Sequence, residues 1–454
     1  MLNKRLLSVD FIRGISILGV LFLHHIIYGT WYTESIALAV ISTPALILLS
    51  PLMILATWAG GFAIISGLTN TFTSARRLSK AYSMKETIKP IIMNSIFLLL
   101  VDPIRTIIFN RPGHSPFSGK ETASVFSSLI QSGEWAWPSI DRVFAIGALP
   151  MIGISGLVTA LFIYLLFRKD GVNKVKRNVS ILIIVGLIIV FFSDPLSHWA
   201  AKGVPILYAK GGISIFFSYV LQLFFGAQLS FFPLGSFVFF GMMYSILLIN
   251  HINIKIIKKI GRYLGFGLLV FFVISLIFLI RECGISGEDP IDALFDYKIF
   301  PRTLMFLNLG LMNLITIGLI NKIEYASDEK RNRFAEKSIW VRRFSMASLT
   351  FYVIEATPSM FLSELFHKWF GGKALWTLDA SVNPFMSNVF AIILFSVSMM
   401  GFWFLISYFW SKVNYAGGFE WLNVKISNKF RKNKSTRLKA EKNLYEVNSQ
   451  IKFE

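Results

Sequence analysis

Residues Ser8–Ile26 read SVDFIRGISILGVLFLHHI. The run is almost wholly apolar, and its length suits a helix crossing a hydrocarbon core of ~30 Å. It lacks the small-residue cleavage site of a leader and carries Asp10 and Arg13, so it reads as an anchor. The rest of the 454 residues repeat its character. Hydrophobic residues make up 54% and charged residues 15%, against roughly 25% charged in a soluble domain. Phe alone contributes 44 residues, and the mean hydropathy is +0.61. A soluble fold could not bury that much apolar surface, and a disordered chain would not carry it. One cysteine, Cys283, allows no internal disulfide, and no Cys/His cluster has metal-ligand spacing.

The expected fold is therefore all-α, a polytopic membrane protein of about ten spans. These fall near 8–29, 52–72, 90–109, 142–166, 179–193, 230–250, 263–280, 299–320, 344–364 and 387–411. Numbering the gaps alternately, 33 of the 45 Lys and Arg residues fall on one side. By the positive-inside rule that side is the cytoplasm, and both termini lie there, in the cell membrane. A further full span in 36–51 would reverse the later loops, so this stretch and 211–227 read as re-entrant or interfacial pieces. Residues 1–411 form the membrane domain, and 412–454 a basic cytoplasmic tail whose start near Trp421 is amphipathic. The net charge of +20 then reflects topology and anionic lipid rather than nucleic acid.

An ionisable group at the bilayer centre costs roughly 2.5–3.5 kcal/mol on insertion scales. The opening span holds Asp10, Arg13, His24 and His25. Asp10 and Arg13 are three residues apart and share a face. His24 follows Arg13 by eleven positions, which brings it within about 20° of Arg13 around the helix and ~16 Å along it. His25 points about 120° away. The stripe of Asp10, Arg13 and His24 should border a cavity. A guanidinium suits phosphate, and an imidazole suits base catalysis or acyl acceptance. A phosphorylated acyl carrier such as coenzyme A could lie along it, with Arg76 and Arg77 drawing the head group to the inner mouth. The alternative is an Asp10–Arg13 ion pair that only fixes helix packing.

These residues resemble a known group, the transmembrane acyltransferases. Arg13 and His24 match the R-X10-H signature of acyltransferase family 3, within Ser8-Val9-Asp10-Phe11-Ile12-Arg13-Gly14. Later segments are similar to the group that contains heparan-alpha-glucosaminide N-acetyltransferase and its prokaryotic relatives. They are Gly61–Gly67, Ile140–Gly147, Phe232–Gly241, Ser348–Tyr352 and Gly417–Trp421. The resemblance spans about 8–425. It implies transfer of an acyl group, acetyl above all, from cytosolic acyl-CoA to an amine or hydroxyl of an extracytoplasmic sugar, glycan or lipid-linked acceptor. If that chemistry runs here, His24 or His25 supplies the imidazole, Arg13 holds a CoA phosphate with Asp10 orienting it, Glu355 joins the catalytic candidates, and Arg76, Arg77 and Ser66 lie toward the cofactor. By position, Asp141, Arg142 and Arg302 lie on the outer half, where they are either span-end anchors or contacts for the arriving acceptor. Two departures stand out: the segment after Tyr352 carries Glu355 where the group often has His or Gln, and 30–45 holds no histidine. The chemistry needs acyl-CoA as co-substrate and no metal. Membrane lipids are further partners, and a homodimer is left open.

Glu355 lies inside the ninth expected span with no cation within a helical turn, so it is either protonated or paired across helices with Arg302 or His24. Asp102 and Arg105 end the third span, and Asn308 and Asn313 read as interhelical glue. Trp31, Tyr32, Trp135 and Trp137 read as an interfacial aromatic belt or as a platform for a sugar ring. The rival class is a transporter or lipid-handling protein without chemistry, against which stands the lack of an inverted repeat. Direct transfer and a two-step acyl-histidine route both remain open.

Overall fold

A computed structural model of the chain describes residues 6–31, 59–114, 121–144, 147–226, 229–287, 302–370, 385, 388–429 and 444. Apart from one antiparallel ladder pairing Gly113–His114 with Glu121–Thr122, these residues form helices and their connections. In chain order the helices are α1 (Leu7–Ile26), α2 (Ala59–Leu78), α3 (Met84–Ile104), α4 (Val125–Ser132), α5 (Ala148–Phe167), α6 (Val175–Ala209), α7 (Ile213–Phe225) and α8 (Phe231–Ile249). There follow α9 (Ile254–Ser286), α10 (Arg302–Leu319), α11 (Asp328–Lys337), α12 (Ile339–Met346), α13 (Ser348–Ile354), α14 (Ala356–Trp369), α15 (Val389–Lys412) and α16 (Phe419–Lys429).

Among the described residues, seven helical segments are long and apolar enough to cross a membrane: Leu7–Thr30, Met84–Phe109, Ala148–Phe167, Val175–Ala209, Ile254–Ser286, Thr303–Glu324 and Val389–Lys412. This is the architecture of a polytopic membrane protein. The expected spans at 179–193 and 263–280 mark only the apolar centres of α6 and α9, which run to 35 and 33 residues. The stretch 211–227 contains the 13-residue helix α7, too short to cross, as an interfacial piece would be. Residues 36–51 lie outside the described part.

The expected ninth span, 344–364, is not one helix. It breaks at Ala347, where the chain leaves helical geometry (φ −124°, ψ 29°), and again at Glu355 between α13 and α14. Pro358 accounts for the second break. It has no N–H to give the carbonyl of Ile354, and its ring crowds that carbonyl.

Helices in lipid gain little from the hydrophobic effect and associate by close packing. α2 and α8 illustrate this. A Cβ on Gly67 would lie 2.1 Å from the carbonyl oxygen of Val238, and one on Gly241 would lie 2.0 Å from that of Ile64. Only glycine at both positions lets the two backbones touch. This pair, with α5, α6 and α10, forms the larger core. A second core joins α1 to α12, α13, α14 and α15 through Ile17, Leu21, Phe344, Phe351, Phe366, Phe395 and Trp403. Here too a glycine sets the distance, since a Cβ on Gly14 would sit 2.2 Å from the Val341 carbonyl oxygen. The candidate site lies in this second core.

Candidate active site

Glu355 is 3% exposed, at the corner between α13 and α14. The break turns its side chain toward the C-terminal end of α1. Oε1 lies 3.0 Å from His24 Nδ1, and Oε2 lies 2.6 Å from Arg111 Nη2. His25 Nδ1 is 3.9 Å from Oε2, beyond hydrogen-bond reach. Glu355 thus lies near both histidines although they diverge around α1, but only His24 is in hydrogen-bond reach. Of the two partners the sequence offered Glu355, His24 is the one found.

His25 is 1% exposed, and its Nε2 accepts the indole N–H of Trp403 at 2.6 Å. The two ring planes are parallel, 2° apart. Indole nitrogen only donates, so Nε2 must carry the lone pair. That bond makes His25 a neutral ring with its proton on Nδ1, facing Glu355. His24 differs: it is 30% exposed. With Nδ1–H given to the carboxylate, its Nε2 lone pair is left for a reacting group. The result is a carboxylate–imidazole dyad of the kind that serves base catalysis.

Arg111 supplies the countercharge. It follows the π-helical turn Arg105–Phe109 that continues α3, and Tyr28, whose ring lies 4.9 Å from its guanidinium carbon, sits in the π turn Ile27–Trp31 that continues α1. Such turns, which widen a helix by one residue, are frequent at functional sites. Three bonds fix the backbone around Arg111. Its N–H donates to Asn110 Oδ1 at 3.0 Å, its carbonyl accepts from Arg142 Nη2, and two residues earlier the Phe109 carbonyl accepts from Thr357 Oγ1 at 3.2 Å. Beside it, Arg105 donates to Asp102 Oδ1 at 3.2 Å and lies 5.1 Å over the Tyr352 ring.

The remaining sequence candidates fall elsewhere. Asp10 is buried near the opposite end of α1, about 21 Å from His24 along the axis, at the Arg13 end as the helical spacing places it. It lies close enough to Glu324 for the two carboxylates to interact, and Glu324 Oε1 accepts from the Ser8 N–H and hydroxyl at 2.8 and 2.7 Å. Arg13 is half-buried at the same end. Among the described residues the stripe from Arg13 to His24 is not open along its length: Ile17 is fully buried and Val20 is 8% exposed between them. Packing against α12 and α15 closes it.

Arg142 is 3% exposed, and its guanidinium donates to the backbone carbonyls of Thr122 and Arg111, bracing the Arg111 loop. Arg76 and Arg77 close α2, with Arg77 Nη1 3.3 Å from the Thr87 carbonyl. Ser66 accepts from Asn70 on the same helix at 3.3 Å. The side chains of Asp141 and Arg302 lie outside the described residues. Asn313 is buried and receives the Tyr244 hydroxyl at 3.0 Å, the interhelical role expected of it.

Sequence reasoning missed Arg111, Tyr28 and Trp403. Arg111 reads as one more charge at a span end, and Trp403 as one more aromatic in an apolar run. Only the 331-residue separation closed between His24 and Glu355 gives either a meaning. Compared with known proteins, the chain matches no family model and no curated sequence.

Proposed function

We propose that this chain is a membrane acyltransferase of the cell membrane, with ten crossings and both termini in the cytoplasm. It moves an acyl group, acetyl above all, from cytosolic acyl-CoA to an amine or hydroxyl of an extracytoplasmic sugar, glycan or lipid-linked acceptor. The observation that carries this reading is the partly exposed His24 held at 3.0 Å by a buried carboxylate. His24 Nε2 takes the proton of the acceptor as its oxygen or nitrogen attacks the thioester carbon. The new C–O or C–N bond forms, the C–S bond breaks, and the departing thiolate recovers the proton from the imidazolium. Glu355 stabilises that imidazolium, and Arg111 balances Glu355 between turnovers. Arg13 holds a phosphate of the carrier at the far end of α1. Delivery needs α1 to part from its neighbours at Ile17 and Val20, since the stripe is closed there. The resemblance to transmembrane acyltransferases through Arg13 and His24 supports the same chemistry.

The test uses purified protein in vesicles with labelled acetyl-CoA. Release of free thiol that depends on an amino sugar, and is lost in His24→Ala, is the expected result. Arg13→Ala should weaken CoA binding more than acceptor binding. Thiol release that persists unchanged in His24→Ala refutes the role of the dyad. The helix broken at a buried charge also suits a transporter, whose sites use interrupted helices. Flux of an intact solute without thiol release would establish that reading instead.

A further inference from the structure

α16 is amphipathic in the sense opposite to that of a helix lying on a protein in water. Its polar side faces the protein. The Glu420 carboxylate accepts from the Leu349 and Thr350 amides and the Thr350 hydroxyl, the last two at 3.1 and 2.6 Å. Asn423 donates to Asn94 on α3 at 2.5 Å, and Ser427 is buried against Asn423. At about 100° per residue, Leu422, Lys425, Ile426 and Lys429 fall together on the other side. Leu422 is 42% and Ile426 38% exposed, and both lysines are exposed. Lys425 Nζ lies 3.8 Å over the Trp421 ring, so the indole face helps hold this charge on the exposed side of the helix.

Two aliphatic side chains flanked by two lysines suit one environment, the boundary where acyl chains meet negatively charged headgroups. The charge of the surrounding chain agrees, since 412–454 holds ten Lys and Arg residues against four Glu. The polar side of α16 meanwhile holds the start of α13, and α13 ends at the residue before Glu355. We propose that the outward face of α16 docks anionic phospholipid headgroups of the cytoplasmic leaflet, and that the docked helix, through Glu420, fixes the segment that presents Glu355. This rests on the membrane topology proposed above and not on acyl transfer.

The experiment compares the full chain in nanodiscs of phosphatidylcholine with discs in which a third of the lipid is phosphatidylglycerol. Amide hydrogen exchange is read in 419–429 and in 348–355. Anionic lipid should slow exchange in both segments, by roughly five-fold for each engaged lysine. Lys425→Glu with Lys429→Glu, both at exposed positions, should erase the difference between the two lipids. Glu420→Gln should leave the response of 419–429 intact and remove that of 348–355. Equal exchange in the two lipids, or a lipid response that survives the double lysine variant, overturns the docking site. A response in 348–355 that survives Glu420→Gln overturns the coupling. None of these readings requires turnover, so they stand or fall apart from the acyltransferase proposal.

Discussion

The ion pair between Glu355 and Arg111 gives the sharpest test of the site. The two groups are 2.6 Å apart with side chains 3% and 12% exposed. Charge centres about 4 Å apart attract by about 4 kcal/mol at an effective dielectric of 20. Glu355→Gln leaves a guanidinium whose buried Nε already has no acceptor, and Arg111→Ala leaves a buried carboxylate with the imidazole of His24 as its closest remaining partner. Each single change should cost about 3–5 kcal/mol, the usual penalty for stranding one member of a buried pair. The double variant strands neither, so its cost should fall short of the sum by about 2–3 kcal/mol. A shortfall of ~2 kcal/mol is about a thirty-fold effect on the ratio of folded to unfolded protein. The assay is reversible unfolding in mixed micelles for the wild type, both single variants and the double variant. Arg333 and Glu329 provide the control, since they are 3.0 Å apart but 66% and 82% exposed, and exposed pairs on a helix couple by about 0.3–0.5 kcal/mol. Coupling at 111/355 no larger than at 329/333 would refute the buried pair and the dyad built on it.

Three other outcomes follow from particular contacts. Trp403→Phe removes the donor to His25 Nε2 and should destabilise by about 1–3 kcal/mol, as a stranded buried acceptor does; in the same unfolding assay, a loss no greater than that of an Ile→Val change would count against the bond. Gly14→Ala places a methyl 2.2 Å from the Val341 carbonyl oxygen. Helix propensity favours alanine by about 1 kcal/mol, yet overpacking costs about 1–3, so the unfolding midpoint should drop; a gain would mean that α1 and α12 do not touch there. Glu420 lies outside the spans, and burial raises its carboxyl above the ordinary value against the pull of the Thr350 hydroxyl and the Leu349 and Thr350 amides. The folded state then holds this proton more tightly than the unfolded state does. Stability should be greatest below about pH 4.3 with respect to this group, fall as pH rises toward the folded value, and level off above it. Glu420→Gln should flatten that fall when unfolding is measured across the acid-to-neutral range, and a wild type that instead gains stability relative to the variant over this interval contradicts the assignment.

Much of the frame was legible because lipid is an undemanding reader. A helix in a bilayer must satisfy its backbone within itself and be apolar along ~30 Å, and both conditions are local. Composition and run length therefore sufficed for an all-helical membrane protein and for the position of α1, α3, α5 and α15. The ends were less legible, because α6 and α9 extend well past their apolar centres, running through Pro195 and through Arg281 and Glu282, where local signals suggest an end. The break at Glu355 had a local cause in Pro358, but a proline inside an apolar run does not by itself say whether a helix bends or ends.

Sequence alone also settled that His24 and Glu355 were costly groups needing partners, since the expense of a buried charge depends only on the charge and the solvent. It could not say which charge met which. Arg302 and His24 were equally eligible for Glu355, and Arg111 was not considered, because proximity across hundreds of residues is decided by helix packing. That packing turns on contacts such as Gly14 against Val341 and Phe351 against Trp403, each set by shape on both sides at once. The same packing closed the stripe between Arg13 and His24, which helical spacing alone had left open: periodicity fixes which residues share a face, and only the neighbours decide what lies against it.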